Sequence, residues 1–237
     1  MRTLKILGFL LTYPSPDHCE VMEECRMLLR EEKWLSKDSL QALEALMNDF
    51  VKRDILDLQE GYVALFDRTP SLSLHLFEHV YGDSRERGQA LVDLTRVYEE
   101  GGLVIKTGET PDYLPLFLEY ISGLSTEEAQ ENLGSVVNIL SSLGERLKNR
   151  TTHYEAVFTA LVEVASKKPD PKAIKKALSE DTGIARSPEQ MDQEWEEQFA
   201  FENTAQTTGA GQDGGCPKAG EMLARIRDYN DKERGKK

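Results

Sequence analysis

The chain has 237 residues, of which 39% are apolar and 30% are charged, and it carries a formal net charge of −13. This composition is typical of a soluble globular protein with one sizeable domain, with or without a tail. The negative charge argues against a nucleic-acid-binding role, because it would repel phosphate, and it favours a basic partner segment. No apolar run approaches the ~18 residues that a membrane span requires, so we expect no transmembrane segment.

The amino-terminal residues and the cysteines indicate a cytoplasmic protein. The first apolar run is short, is interrupted by Lys5 and Gly8, and lacks a small-residue cleavage site, so we do not interpret it as a signal peptide. The cysteines are odd in number and form no C-x-x-C pair, which predicts reduced thiols rather than a disulfide framework or a zinc site. They are Cys19, Cys25 and Cys216.

Helical spacing of apolar residues dominates as far as about residue 180. The side chains of Asp17 and Ser36 are the predicted N-caps of the second and third helices. The apolar residues at helical spacing in the first three predicted helices are Leu4, Leu7, Leu10, Leu11, Val21, Met22, Cys25, Leu28, Leu29, Leu40, Leu43, Leu46, Met47 and Phe50.

Further helices follow, separated by turn residues. The predicted ranges are 55–66, 71–82, 83–100 with Asp83 as its cap and Gly101-Gly102 at its end, 112–121, a long helix from 126, 154–165 and 171–178. Strand alternation is never sustained, so the predicted fold class is all-α. The short connections predict a compact single-domain bundle of about nine or ten helices rather than a repeat array.

The composition changes after the last predicted helix, which divides the chain into three parts. Residues 1–180 form the predicted helical domain. Residues 181–202 hold seven acidic residues against Arg186 alone, so we expect an acidic, partly helical segment. Residues 203–237 begin with Gly, Thr, Gln and Ala and end in a highly charged stretch, which predicts a flexible, disordered tail.

A possible metal site lies within the predicted 71–82 helix. His75, Glu78 and His79 spell H-x-x-E-H, and two histidines four residues apart share one face of a helix. In this hypothesis the histidines bind zinc, Glu78 is the general base, and the protein is a zinc-dependent hydrolase. A catalytic zinc needs a third protein ligand, and no downstream residue is distinguished as one. We therefore favour the simpler interpretation that one histidine packs or hydrogen-bonds while the other is exposed.

Four ordered blocks give a more specific indication than any single residue. They read LFDR at 65–68, LFEHV at 76–80, GDSRERGQA at 82–90 and DYLPLFLEY at 112–120, and LTYP at 11–14 and WEE at 195–197 accompany them. Together they resemble the NarJ-type family, the molybdenum-cofactor assembly chaperones of respiratory nitrate reductase, also called its delta subunit family and related to TorD-like maturation chaperones. The resemblance covers roughly residues 1–200. The family pattern often has an aliphatic residue at the position of His75, which weakens the zinc hypothesis further.

The resemblance implies an all-α cytoplasmic chaperone without enzymatic activity or a cofactor of its own. It implies that the partner is the apo catalytic subunit of nitrate reductase, including its N-terminal segment, and that molybdenum-cofactor biosynthesis proteins are further partners. The chaperone would keep that subunit competent for cofactor insertion and delay its membrane anchoring. A generic helical adaptor is the remaining hypothesis.

The same blocks supply the predicted client-binding residues. Leu116, Phe117 and Tyr120 would line a groove for apolar client side chains, while nearby carboxylates would meet basic ones. The alternative for each residue is core packing or helix capping. The full predicted set is Glu78, His79, Asp83, Arg85, Asp112, Leu116, Phe117, Glu119 and Tyr120.

Overall fold

The computed structural model describes residues 1–82, 84–106 and 108–179. These residues form ten α-helices and no strand beyond an isolated bridge, which confirms the predicted all-α bundle. The helices are α1 (Arg2–Leu10), α2 (Pro16–Glu32), α3 (Lys37–Lys52), α4 (Ile55–Tyr62), α5 (Glu78–Tyr81), α6 (Glu86–Glu100), α7 (Leu114–Ser122), α8 (Thr126–Lys148), α9 (Glu155–Val164) and α10 (Pro171–Ser179). Among them, none is long and apolar enough to cross a membrane. The segments 181–202 and 203–237 lie outside the described residues.

Helix α1 lies at the centre of the bundle and packs against α2, α7 and α9. Its apolar residues Leu4, Leu7 and Leu10 are fully buried, as their spacing predicted. A side chain at Gly8 would come within 3.3 Å of the Cβ of Leu118, so the glycine permits the close approach of α1 and α7. The long helix α8 packs against α9 and α10 and forms another wall of the core. The bundle therefore buries its first helix rather than placing it on the surface.

The helix starts show which caps the sequence specifies. Ser36 caps α3 as predicted, since its side chain accepts a hydrogen bond from the Ser39 amide. The prediction of Asp17 as the α2 cap was wrong, because Ser15 holds that position and forms a capping box with the ring of His18. Asp17 lies in the first turn instead, where its charge complements the helix dipole.

The prediction of one helix over residues 71–82 was wrong. A 3₁₀ turn covers Pro70–Leu72, the chain is then extended, and only Glu78–Tyr81 forms the short helix α5. The reason lies in backbone pairing: the Leu74 carbonyl accepts a hydrogen bond from the Leu114 amide and the Leu76 amide donates to the Asp112 carbonyl, so these groups do not form helical hydrogen bonds. The preceding helix also changes form, since α4 continues as a π-helix over Val63–Asp67.

The connection between α6 and α7 follows the prediction more closely. Helix α6 ends at Glu100, and Gly102 adopts a positive φ of 83° just beyond it. Helix α7 begins at Leu114 rather than at Asp112, because the Asp112 carbonyl accepts a hydrogen bond from the Leu76 amide. Pro115 lies in the first turn of α7, where a missing amide proton costs nothing.

Candidate functional site

Two segments that are distant in sequence meet at a short antiparallel bridge between His75 and Tyr113. The Leu76 amide donates to the Asp112 carbonyl at 3.0 Å, and the Leu114 amide donates to the Leu74 carbonyl at 2.8 Å. The bridge brings the H-x-x-E-H segment against the residues that precede α7. Two of the sequence blocks therefore form one structural unit, which we call the bridge site and define by Ser73–His79 and Thr110–Leu114.

Asp112 is the centre of the bridge site. Its side chain is fully buried, and one carboxylate oxygen accepts a hydrogen bond from the Phe77 amide at 3.1 Å. The other oxygen accepts from the Thr110 hydroxyl and lies 3.5 Å from the His75 ring. Burial alone would raise the pKa of Asp112, but the nearby His75 ring and the hydrogen bond from Thr110 outweigh it and lower the pKa below its ordinary value. The carboxylate is thus held in its charged form.

The protonation of His75 follows from its neighbours. The Thr110 hydroxyl has one proton and gives it to Asp112, so its oxygen accepts from His75 Nδ1 at 2.9 Å. Burial alone would lower the pKa of His75, but Asp112 raises it above its ordinary value. The ring is also tilted against Tyr113 with centroids 5.4 Å apart. The buried aspartate therefore favours the protonated form of His75.

His79 does not share a helix face with His75, which removes the basis of the zinc hypothesis. Its Nε2 donates to the Ser73 carbonyl at 2.8 Å, and burial lowers its pKa, so the ring is held neutral. The described ranges contain no group of three or more histidine, cysteine, aspartate or glutamate side chains that could hold a metal ion. Both histidines instead position backbone or buried carboxylate groups.

Arginine from α6 closes one side of the bridge site. Arg87 Nη2 lies 3.0 Å from Glu78 and 4.0 Å from Asp112, and the exposed fractions of the Arg87 and Glu78 side chains are only 23% and 32%. The predicted residue Arg85 lies two positions earlier, is exposed, and marks the start of α6. Asp83 lies outside the described residues. Of the arginines in this charged block, Arg87 forms the ion pair with Glu78, and the prediction of Arg85 as a client-binding residue stays a prediction.

The predicted groove on α7 differs from expectation. Phe117 is fully buried and Tyr120 is 5% exposed, so both pack the core in this structure rather than line an open groove. Leu116 is half-buried, and the exposed Glu119 forms an ion pair with Lys5 at 2.8 Å. Phe117 and Tyr120 are buried because α7 is apolar on most of its circumference and packs against both α1 and α8.

The polar side chains of the bridge site hold the surrounding backbone and side chains in place. The Asp112 carboxylate is fully buried, and its interactions hold the backbone of Phe77 and the side chains of Thr110 and His75. His75 and Thr110 belong to this cluster, although neither is among the predicted client-binding residues. Across the described residues the fold is thus an all-α bundle in which the buried charged groups of the bridge site hold two distant segments together.

Comparison with known proteins identifies the family. Residues 33–160, more than half of the chain, match the family described as nitrate reductase delta subunit. The chain is 38% identical over 198 residues to the nitrate reductase molybdenum cofactor assembly chaperone NarJ of Escherichia coli K12, covering 84% of each chain. It is 38% identical over 199 residues to the probable chaperone NarW of the same strain, covering 84% of this chain and 82% of NarW. A probable NarJ of Bacillus subtilis is 27% identical over 163 residues, covering 68% of this chain and 86% of that protein.

The chain therefore belongs to the nitrate reductase delta subunit family, as the sequence blocks predicted. The matched range includes the whole bridge site, both the His75 side and the Asp112 side. The relatives named as assembly chaperones match across most of their own length, so the resemblance extends well beyond one motif.

Proposed function

We propose that this protein is an assembly chaperone that binds the apo catalytic subunit of respiratory nitrate reductase in the cytoplasm. The observation that carries the proposal is the 38% identity over 84% of both chains to a protein named as a molybdenum cofactor assembly chaperone. The bridge site supports it, because its buried charged side chains form the contacts that hold two loops together. In this proposal the protein has no catalytic activity of its own.

The client contact includes the N-terminal segment of the catalytic subunit. An amphipathic client segment offers apolar side chains to a surface and basic side chains to acidic residues. The chaperone carries a net charge of −13, which accelerates encounter with a basic segment. Bound in this way, the catalytic subunit stays open for molybdenum cofactor insertion, with the participation of cofactor biosynthesis proteins, before the complex is anchored at the membrane.

The structure divides the predicted client-binding residues by accessibility. Glu78, Arg85, Leu116 and Glu119 are exposed or half-buried and so are available for direct contact. Asp83 is retained in the proposal from its place in the sequence. Three further members are buried, as is most of His79, and they contribute by shaping the surface: Asp112, Phe117 and Tyr120.

Co-expression with the apo catalytic subunit tests the proposal. The tagged chaperone should retain the full-length subunit and lose most of it when the N-terminal segment of the subunit is deleted. Equal retention of the deleted subunit would favour a generic helical adaptor, and no retention of either would contradict the proposal. Arg85→Ala should weaken retention, whereas Arg96→Ala is the matched control, because Arg96 is an exposed arginine of the same helix with a 64% exposed side chain.

A further inference from the structure

A second surface lies where the α1–α2 connection packs against α4. The hydroxyl of Tyr62 donates to the Leu11 carbonyl at 2.9 Å and lies 3.1 Å from the hydroxyl of Tyr113. The side chain of Gln59 donates to the Pro14 carbonyl at 2.8 Å. These bonds hold the connection and the start of α7 on the same side of α4, including the bridge residue Tyr113.

Large apolar side chains are exposed on this side. Tyr13 is 48% exposed and packs edge-on against Tyr62, with ring centroids 5.6 Å apart. Leu56, one turn before Gln59 on α4, is 70% exposed. These exposures contrast with Phe66, which is 5% exposed in the same region and belongs to the core. The tyrosine ring and the leucine side chain thus offer apolar area that this chain leaves in contact with water.

The carboxylates of Asp67 and Glu109 border the same surface. Within the described parts of the chain, neither forms an ion pair with a lysine or arginine. Asp67 ends the π-helix that extends α4, and Glu109 lies just before the bridge site. Burial and the charge of Glu109 raise the pKa of Asp67, so the two charges act on one another. Burial raises the pKa of Tyr113 to about 12, and the charges of Glu109 and Asp67 add to that shift. Both residues are exposed, and their charges are near enough to act on Tyr113.

We infer that this surface binds a basic amphipathic segment of the client, with its apolar face on the tyrosine and leucine side chains and a lysine or arginine between the two carboxylates. We call it the tyrosine–acid surface, defined by Tyr13, Leu56, Asp67, Glu109 and Tyr113. The inference rests on the proposed function for the identity of the client, and it assigns a contact outside the predicted set on α5 to α7.

Charge decides between the possible occupants of the tyrosine–acid surface. A cation would relieve the repulsion between Asp67 and Glu109, and a guanidinium beside a tyrosine ring gains a cation–π contact in addition. A second copy of this chain also carries a charge of −13, so like charges oppose self-association across this acidic surface. His75, whose side chain is 28% exposed, lies on one flank only, next to Asp112. The surface therefore favours a basic partner of different sequence.

A pair of synthetic peptides separates the charge contribution from the apolar one. One is an amphipathic helical peptide with a leucine face bordered by arginines, and the other has citrulline in place of every arginine. Full-length wild-type protein should bind the arginine peptide about tenfold more tightly, because two exposed ion pairs are worth about that factor together. The double variant Asp67→Asn/Glu109→Gln should reduce this preference to about twofold.

Matched variants make the assignment specific. Glu20→Gln/Glu24→Gln removes the same charge from the exposed face of α2 and should leave the preference for arginine unchanged. Tyr13→Ala should weaken both peptides by a similar factor, since it removes apolar contact rather than charge. Equal losses in the two acid variants would overturn the inference, because they would show general attraction to an acidic protein. Unchanged binding of both peptides to Tyr13→Ala would overturn it as well, and so would dimerisation through this surface.

Retention of the apo catalytic subunit distinguishes this inference from the proposed function. If the wild type fails to retain the subunit, the proposed function fails, whatever the peptides do. If the wild type and Asp67→Asn/Glu109→Gln retain the subunit equally, the chaperone role stands and the assignment of this surface is wrong. Weaker retention by that variant, with full retention by Glu20→Gln/Glu24→Gln, is the supporting result.

Discussion

Replacing Asp112 by alanine should be the most destabilising single change in the bridge site. The side chain is fully buried and accepts hydrogen bonds from the Phe77 amide and the Thr110 hydroxyl. A hydrogen bond to a charged group contributes about 1.5–3 kcal/mol, and a buried amide left without an acceptor costs about 1–3 kcal/mol. Because these contributions overlap, we expect Asp112→Ala to lower the free energy of unfolding by about 3–5 kcal/mol.

Urea unfolding followed by circular dichroism measures this loss. With a slope of about 2–3 kcal/mol per molar, the midpoint should fall by roughly 1.5 M urea. The loss should also be larger at pH 6 than at pH 8. Asp112 raises the pKa of His75 above its unfolded value of 6.5, so the attraction is complete below that pH and is lost as pH rises through the folded pKa.

Asp57→Asn is the control for the charge itself, because Asp57 is exposed in the first turn of α4. It should cost at most about 1 kcal/mol through the helix dipole, with no difference between pH 6 and pH 8. An Asp112→Ala protein that unfolds at the wild-type urea concentration would refute the reasoning. A loss of the same size at both pH values would show that His75 takes no part.

Other changes test separate contacts. His75→Asn should cost more stability at pH 6 than at pH 8, because only the protonated ring is attracted by the buried carboxylate. Burial alone would raise the pKa of Glu32, but hydrogen bonds from the start of α1 lower it to about 2. Glu32→Gln should therefore cost about 1–3 kcal/mol at neutral pH in urea unfolding, and this difference should disappear as pH falls from 4.5 towards 2. Gly101→Ala should destabilise by about 1–3 kcal/mol, since its Cβ would lie 2.6 Å from the Tyr120 ring, whereas Gly61→Ala meets nothing within 4 Å in α4 and should raise the melting temperature.

The helices and their buried faces were predictable because each follows from local spacing. The stripe through Leu4, Leu7 and Leu10 predicted α1, and Gly102 marked the turn after α6. The non-helical segment before α5 was missed because a histidine and a phenylalanine near the leucines imitate a helical pattern over a short window. The segment is held in a non-helical conformation by backbone pairing with another part of the chain. The residue that His75 pairs with, Tyr113, lies more than thirty residues away in the sequence, so local spacing does not reveal it.

Candidate site residues were harder to predict than helices, because burial and not residue type decides their role. Asp112 and Glu119 are both acidic residues of one block, yet the first is fully buried and the second has a 44% exposed side chain paired with Lys5. Spacing on a helix cannot separate them, since Asp112 lies in the turn that precedes α7. The exposed Tyr13 and Leu56 were missed for the opposite reason, because sequence reasoning assigns large apolar residues to the core.

The two candidate surfaces are joined through adjacent residues, which determines which variants report on binding. Asp112 and Tyr113 are neighbours in the chain, and His75 contacts both side chains. Asp112→Ala removes the carboxylate beside His75 and is expected to destabilise the fold, so weaker client binding in that variant would not distinguish a lost client contact from a disturbed fold. Asp67 and Glu109 are exposed, and replacing them by their amides changes charge without removing a buried acceptor. The amide variants therefore give the cleaner test. If they bind the client more weakly while their unfolding midpoint stays at the wild-type value, the loss is evidence for contact with the client. Weaker binding by the Asp112 variant alone is not such evidence.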